Sequence, residues 1–260
     1  MKKIFAMLLV LTLSLGLMAG CSGNGSDNEL NTIEAGKLIM STNAAFPPYE
    51  MTDDNGGYIG IDVEIAGEIA KKLGLELVID DMGFNAALEA AQKGKSDMVM
   101  AGVTVKKDRL AVMDFSDSYA TGIQVVIVPE GSDITSIDDL TGKKIGTQMG
   151  TTGYIYCSDS PENGGYGEDA VAAYDNGMTA IQALLNGQVD CVVIDNAPAQ
   201  SFVDANPGLK ILETEFAVED YAIGFAKGNT VLKDAVNKAL AELIADGTVQ
   251  KIVDKYIPAE

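Results

Sequence analysis

An arginine placed five residues after a threonine is the first chemically loaded pattern in the chain. In Ala101-Gly-Val-Thr104-Val-Lys-Lys-Asp-Arg109 an apolar run ends in a small-residue loop, and the arginine follows at the start of the next element. A guanidinium is the natural fork for a carboxylate; a solvated arginine at a helix start fits the same spacing, which by itself does not choose. A second pattern, Gly150-Thr151-Thr152-Gly153, follows the run Lys144–Thr147 and opens a helical stretch. Backbone N–H groups at such a start attract an anion, or Thr151 or Thr152 acts as a plain N-cap.

The residues that are missing exclude as much as these suggest. The chain of 260 residues has no histidine, which removes Ser-His-Asp and Cys-His nucleophiles, histidine-ligated zinc and haem, and imidazole switches. Its 38 acidic residues against 18 basic ones give a net charge of −20, so neither nucleic acid nor an anionic lipid surface is an expected partner. No Asp-x-Asp-x-Asp-Gly loop is present, and Asp53-Asp54-Asn55-Gly56 reads as a hairpin turn, so no metal or cofactor is expected.

The elements that must position these residues alternate in type. Leu38–Ser41, Leu75–Ile79, Met98–Ala101, Gln124–Val128, Lys144–Thr147, Cys191–Ile194 and Ala222–Ala226 are short apolar runs between turn or charged residues and predict buried strands. Asp62–Leu73 carries Ile65, Ala66, Ile69, Ala70 and Leu73 at helical spacing and stops at Gly74. Val236, Ala239, Leu240 and Leu243 repeat that spacing before Gly247. Strands alternating with helices predict an α/β protein whose largely parallel sheets are covered on both faces. Ala91–Val99 also echoes Leu184–Val192, each a helix end, a glycine, an aspartate and a strand, which suits two similar lobes better than one continuous sheet.

The N-terminus reads as an address. Lys2 and Lys3 precede an apolar run from Ile4 to Ala19, too short to span a bilayer and shaped like a secretory signal. Met18-Ala19-Gly20-Cys21 resembles the bacterial lipobox, which implies a signal peptide over 1–20, lipid on Cys21 and membrane attachment through that anchor only. The Gly/Ser/Asn/Asp stretch that follows makes 21–32 a flexible tether, with folded structure from about Ile33.

Ser41–Glu50, Gly60-Ile-Asp62-Val-Glu64, Ala101–Arg109, Asp114–Tyr119, Gly150-Thr-Thr152 and Val189–Asp195, in this order and spacing, resemble the polar amino-acid substrate-binding proteins of ABC importers, bacterial extracellular solute-binding protein family 3. The resemblance runs from about Lys37 to Ile257. It implies the type II periplasmic binding fold, two α/β lobes of mostly parallel sheet flanked by helices and joined by two hinge strands. Lobe 1 would comprise 33–127 and 219–260, and lobe 2 would comprise 128–218, with hinges at Gln124–Val128 and Glu213–Val218. The function implied is capture of a free α-amino acid by lobe closure for delivery to a permease. The protein would be a monomeric binding protein rather than an enzyme, on the extracytoplasmic face of a Gram-positive cell.

Carried over position by position, Arg109 pairs with the ligand's α-carboxylate, and the backbone donors of Thr104 and Thr152, beside Thr151, complete its hydrogen bonds, with the Thr104 hydroxyl assisting. Asp195 binds the α-ammonium, to which Gly102 offers its carbonyl. Phe46 and Phe84 flank the side chain. Asn43, Gln148 and Ile194 are uncharged at positions that can face its far end, which favours a neutral polar amino acid of glutamine's size, with lysine or arginine next. Cys157 and Cys191, an even pair in an exported chain and at similar depth from one edge, are expected to form a disulfide. The same fold also serves cyclohexadienyl dehydratases, which need a further carboxylate in the cleft, and sensory surface lipoproteins.

Overall fold

The computed structural model describes residues 29–212 and 216–258. The expected signal peptide and Cys21 lie outside the described residues, as do positions 213–215 of the second expected hinge. Packed structure, by contrast, begins earlier than expected. Leu30 packs against the main core, Thr32 is buried, and the Ile33 N–H donates to Asp97 Oδ1 at 2.7 Å.

The first half of the chain builds strands β1 (Lys37–Thr42), β2 (Ala45–Phe46), β3 (Glu50–Thr52) and β4 (Tyr58–Ile59). Helix α1 (Ile61–Leu73), β5 (Glu76–Asp81), α2 (Phe84–Gln92), β6 (Met98–Val99) and α3 (Lys107–Val112) follow. A long strand, β7 (Met113–Pro129), leads to β8 (Ile145–Gln148), α4 (Thr152–Ser158), β9 (Val171–Tyr174), α5 (Gly177–Leu185), β10 (Cys191–Asp195) and α6 (Asn196–Ala205). The chain ends with β11 (Leu209–Ile211), β12 (Ala217–Ala226), α7 (Thr230–Ala245) and α8 (Thr248–Tyr256).

Helix α1 shows why the pattern reading worked. Ile61, Ile65, Ala66, Ile69 and Ala70 fall on one face and are buried, while Asp62 and Glu64 in the first turn and Lys71 and Lys72 in the last complement the helix dipole. Gly74 takes the left-handed conformation, φ 70°, and its N–H caps the carbonyls of Ala70 and Lys71. Truncating Ile69 to alanine would cost about 2–5 kcal/mol, as for other fully buried aliphatics. At the other end of the chain Gly247 does more than stop a helix: it follows α7 and starts α8, which the spacing of Val236 to Leu243 did not reveal.

The sheet departs from the expectation of two separate parallel sheets. Its order is β5-β1-β6-β12-β7-β10-β8-β9, with β11 on β7, so that one hydrogen-bonded path joins both flanks, while β2-β3-β4 form a separate small antiparallel sheet. Parallel pairing holds at the two flanks, β5-β1-β6 and β10-β8-β9. The centre is antiparallel, because β12 pairs along its length with the first part of β7, Met113–Gln124, and each also joins one flank. The strand segments Gln124–Val128 and Ala222–Ala226 are thus parts of two long crossing strands. The architecture remains two-lobed α/β, with helices α1, α2, α7 and α8 about one flank and α4, α5 and α6 about the other.

The internal echo has a common structural job. Asp97 accepts from the Ile39 N–H and Asp190 from the Lys144 N–H, each at 2.7 Å, so each aspartate stitches the start of its strand, β6 or β10, to the neighbouring one. The two cysteines end differently from expectation. Cys157 and Cys191 are free and both buried in the core cluster of Val126, Ile145 and Val193. Their depth estimate brought them into one cluster, but they pack there as small apolar side chains, and burial pushes both thiols up to about 12.

Candidate functional site

A small cavity lies between the two flanks, lined by residues of both. All ten ligand residues expected from the sequence line it: Asn43, Phe46, Phe84, Gly102, Thr104, Arg109, Gln148, Thr151, Thr152 and Asp195. Ala101 and Glu50 complete the wall. Ile194 does not. Successive strand residues face opposite ways, so with Asp195 toward the cavity Ile194 turns into the core, against Phe202 and the backbone of Gly177.

Arg109 sits in the first turn of α3 with only 7% of its surface exposed. Its Nη1 donates to the Thr104 carbonyl at 2.9 Å and its Nη2 to the Gly150 carbonyl at 3.3 Å, across the cavity. The guanidinium carbon lies 5.5 Å from the Phe84 ring centre, a cation–π contact. Burial lowers its pKa, with Asp108 and Glu219 acting against that shift. Among the described residues it forms no ion pair.

Asp195 closes β10 on the opposite wall. It is 7% exposed and accepts a hydrogen bond from the Tyr221 hydroxyl of β12. Burial raises its pKa to about 7, against the opposing effect of that bond. It too has no ion pair among the described residues. A buried cation and a buried anion, each without a counter-charge, therefore face one small cavity.

Glu219 of β12 is a member of this site that sequence reasoning missed. Its Oε2 accepts from Thr104 Oγ1 at 3.0 Å, Thr152 Oγ1 at 2.8 Å and Gln124 Nε2 at 3.1 Å. Two residues from opposite flanks are thereby tied to one carboxylate on a crossing strand. The Thr104 hydroxyl, expected to assist a ligand, is engaged with Glu219 instead. Thr151 caps α4, its Oγ1 accepting from the Tyr154 N–H at 3.4 Å and donating to the Gln148 carbonyl at 2.8 Å. Across the cavity Gln148 Nε2 donates to Asn43 Oδ1 at 2.9 Å and to the Asp175 carbonyl at 3.2 Å.

Gly102 is glycine for a reason of space and conformation. Its φ is +54°, and a Cβ there would lie 2.7 Å from Phe46 Cε1. Its N–H donates to Asp62 Oδ2 at 3.1 Å. Asp62, fully buried in α1, is raised to about 6 by burial, with Tyr119 and the Gly102 N–H pulling the other way. Glu50, also fully buried, is held well above the usual carboxylate range by burial first and the neighbouring Asp62 charge second. The signal for Glu50 was in plain view, at the end of the motif Ser41–Glu50, but a lone glutamate after two prolines has no spacing that marks it.

Comparison with known proteins gives this arrangement a context. The profile of the bacterial extracellular solute-binding proteins, family 3, matches residues 38–259. A probable histidine-binding protein of Neisseria gonorrhoeae is 34% identical, over 100% of this chain and 97% of its own. The arginine-binding extracellular protein ArtP of Bacillus subtilis is 31% identical over the full length of both. Among solved structures, an ancestral arginine-binding protein bound to glutamine is 40% identical with a TM-score of 0.80, covering 87% of this chain and all of that one.

Proposed function

The chain belongs to family 3 of the bacterial extracellular solute-binding proteins, and from that premise we propose that it captures a free α-amino acid for an ABC importer. The observation that carries the proposal is the unpaired couple across the cavity, Arg109 on one wall and Asp195 on the other. An α-amino acid presents a carboxylate and an ammonium on one carbon. Arg109, with the backbone donors of Thr104 and Thr152, takes the carboxylate; Asp195 and the Gly102 carbonyl take the ammonium. Phe46 and Phe84 cover the side chain.

The same couple supplies a reason to close. The two charges sit on different flanks, so only a ligand bridging both gives the closed form an affinity that the open form lacks. Lobe 1, over 33–127 and 219–260, and lobe 2, over 128–218, then move about the crossing strands β7 and β12. The protein works as a monomer, held by lipid on Cys21 after removal of 1–20, on the extracytoplasmic face of a Gram-positive cell, and hands its ligand to a permease. The named relatives are binding proteins, which supports binding rather than catalysis on this fold.

Asn43 and Gln148 in the cavity wall point to a neutral polar ligand such as glutamine, with lysine or arginine next. The test is a thermal-shift screen of ligand-stripped protein against the twenty amino acids, with calorimetry on every hit. A true ligand at a hundred times its Kd stabilises the fold by about 2.7 kcal/mol. No shift from any amino acid overturns the proposal.

A further inference from the structure

Tyr156 of α4 has no part in the cavity wall, yet residues of the opposite flank hold it at two points. Its ring lies beneath the Lys106 ammonium, 4.9 Å from the ring centre. Its hydroxyl interacts with the Glu219 carboxylate, which also accepts from Thr152 of the same helix at 2.8 Å. An aromatic face is electron-rich and a phenolic hydroxyl is a donor, so a tyrosine suits a place between a cation and an anion.

Both holds come from one framework. Lys106 is the N-cap of α3, and just before it the Val105 N–H donates to the Asp220 carbonyl while the Ala222 N–H donates to the Val103 carbonyl, each at 3.0 Å. These bonds join the Lys106 loop to β12, and the bond from Thr104 to Glu219 lies within that joined unit. Tyr156 and Thr152 belong to α4, which packs on β8, β9 and β10 of the other flank. The contacts of Lys106 with Tyr156 and of Thr152 with Glu219 therefore run from flank to flank. Tyr156 is braced from behind by Phe216, stacked on it with ring centres 6.3 Å apart, and Asp159 at the C-cap of α4 adds attraction for the ammonium. Burial is the largest effect on both members of the pair, lowering the pKa of Lys106 and, with the Glu219 charge reinforcing it, pushing Tyr156 up to about 12. The hydroxyl thus keeps its proton to donate, and the cation–π contact is partly shielded from water, which strengthens it.

We propose that Tyr156, held by Lys106 and Glu219, is a latch on the closed form that slows release of whatever amino acid the cavity holds. The proposal rests on the reading of the site as one that closes on an amino acid, and adds to it a contact between lobes that the ligand does not make. Lys106 and Tyr156 stand outside the cavity wall, so their loss should shorten the bound state without favouring one ligand over another. Stopped-flow kinetics on wild type, Lys106→Met, Tyr156→Leu and the double variant tests this, using each of the twenty amino acids that stabilises the wild type, glutamine and arginine first.

Each single substitution is expected to raise the dissociation rate about fivefold, the scale of a partly shielded cation–π contact, and to change the association rate by less than about twofold. The double variant should release ligand no more than about twofold faster than either single one, because the two residues make one contact, whereas separate structural roles would multiply. Tyr156→Phe, which keeps the ring under Lys106, should fall between wild type and Tyr156→Leu. A dissociation rate raised less than about twofold in either single variant overturns the latch and leaves the amino-acid reading standing. Multiplied effects in the double variant overturn it too. Should Tyr156→Leu not fold, Lys106→Met alone decides. Absence of binding by every amino acid sinks both readings together.

Discussion

Replacing Asp195 by asparagine separates the ligand-holding role proposed for this carboxylate from the burden it places on the empty protein. Asparagine keeps the shape and can still accept from Tyr221, but it cannot ionise. In the folded chain Asp195 titrates at about 7, because burial outweighs the hydrogen bond. In the unfolded chain an aspartate titrates near 3.9. The folded state therefore holds the proton more tightly. The stability tied to this group is full below about pH 4 and is lost as pH rises to about 7, at roughly 1.4 kcal/mol per pH unit. The loss complete at pH 7 is about 4 kcal/mol, as an upper figure. Asparagine escapes it. Thermal unfolding of ligand-free wild type and Asp195→Asn, measured from pH 5 to pH 8, should show the variant gaining on the wild type by about 3 kcal/mol across that span. For a chain of this size that is about 5–10 °C in Tm, flat above pH 7. Ligand affinity should move the opposite way, falling by about 2–5 kcal/mol as the ammonium loses its counter-charge. A Tm difference that does not change with pH, or a wild type that is the more stable at pH 8, would refute the reasoning.

Arg109→Ala should weaken binding of any α-amino acid by about 2–5 kcal/mol in calorimetry, since it removes the cation proposed to meet the carboxylate; a loss below threefold would take Arg109 out of the site. Gly102→Ala forces a side chain into a positive-φ position and against the Phe46 ring, so it should lower stability by about 1–2 kcal/mol and weaken ligand binding together. In a Cys21→Ser background, thiol titration without reductant should find no reactive group in the native protein and two after denaturation. A count of zero in denaturant would establish a disulfide between Cys157 and Cys191.

The sequence carried the local parts of this fold and lost the shared ones. Helix α1 is legible because its apolar face, its charged ends and Gly74 all lie within fourteen residues. The ten cavity residues were legible through their motifs, each a short run with its own spacing. Glu219, Tyr221 and Asp62 were not, because their work is done through partners far away in sequence: Glu219 meets Thr104 and Thr152 only when β12 lies beside β7, and no periodicity announces that. The same holds for the continuous sheet. Each crossing strand looks like an ordinary buried run, and only the pairing partners show that it belongs to both halves. Cys157 and Cys191 illustrate the reverse failure, in which a sound estimate of depth was joined to the wrong chemistry.

The place of β12 in the sheet sets an order in time as well as in space. It lies between β6 and β7, yet it is made after both, following all of the β8-to-β11 half. A chain emerging from its N-terminus thus carries a gap in the middle of its sheet until residue 226 is available, with the facing edges of β6 and β7 unpaired. Arg109 and Asp195 are both synthesised before Glu219 and Tyr221, which tie their surroundings together. The site can be complete only when nearly the whole polypeptide has been made, so a fragment truncated before β12 retains every residue of the cavity wall but lacks Glu219 and Tyr221, to which Thr104, Thr152 and Asp195 of that wall are bonded.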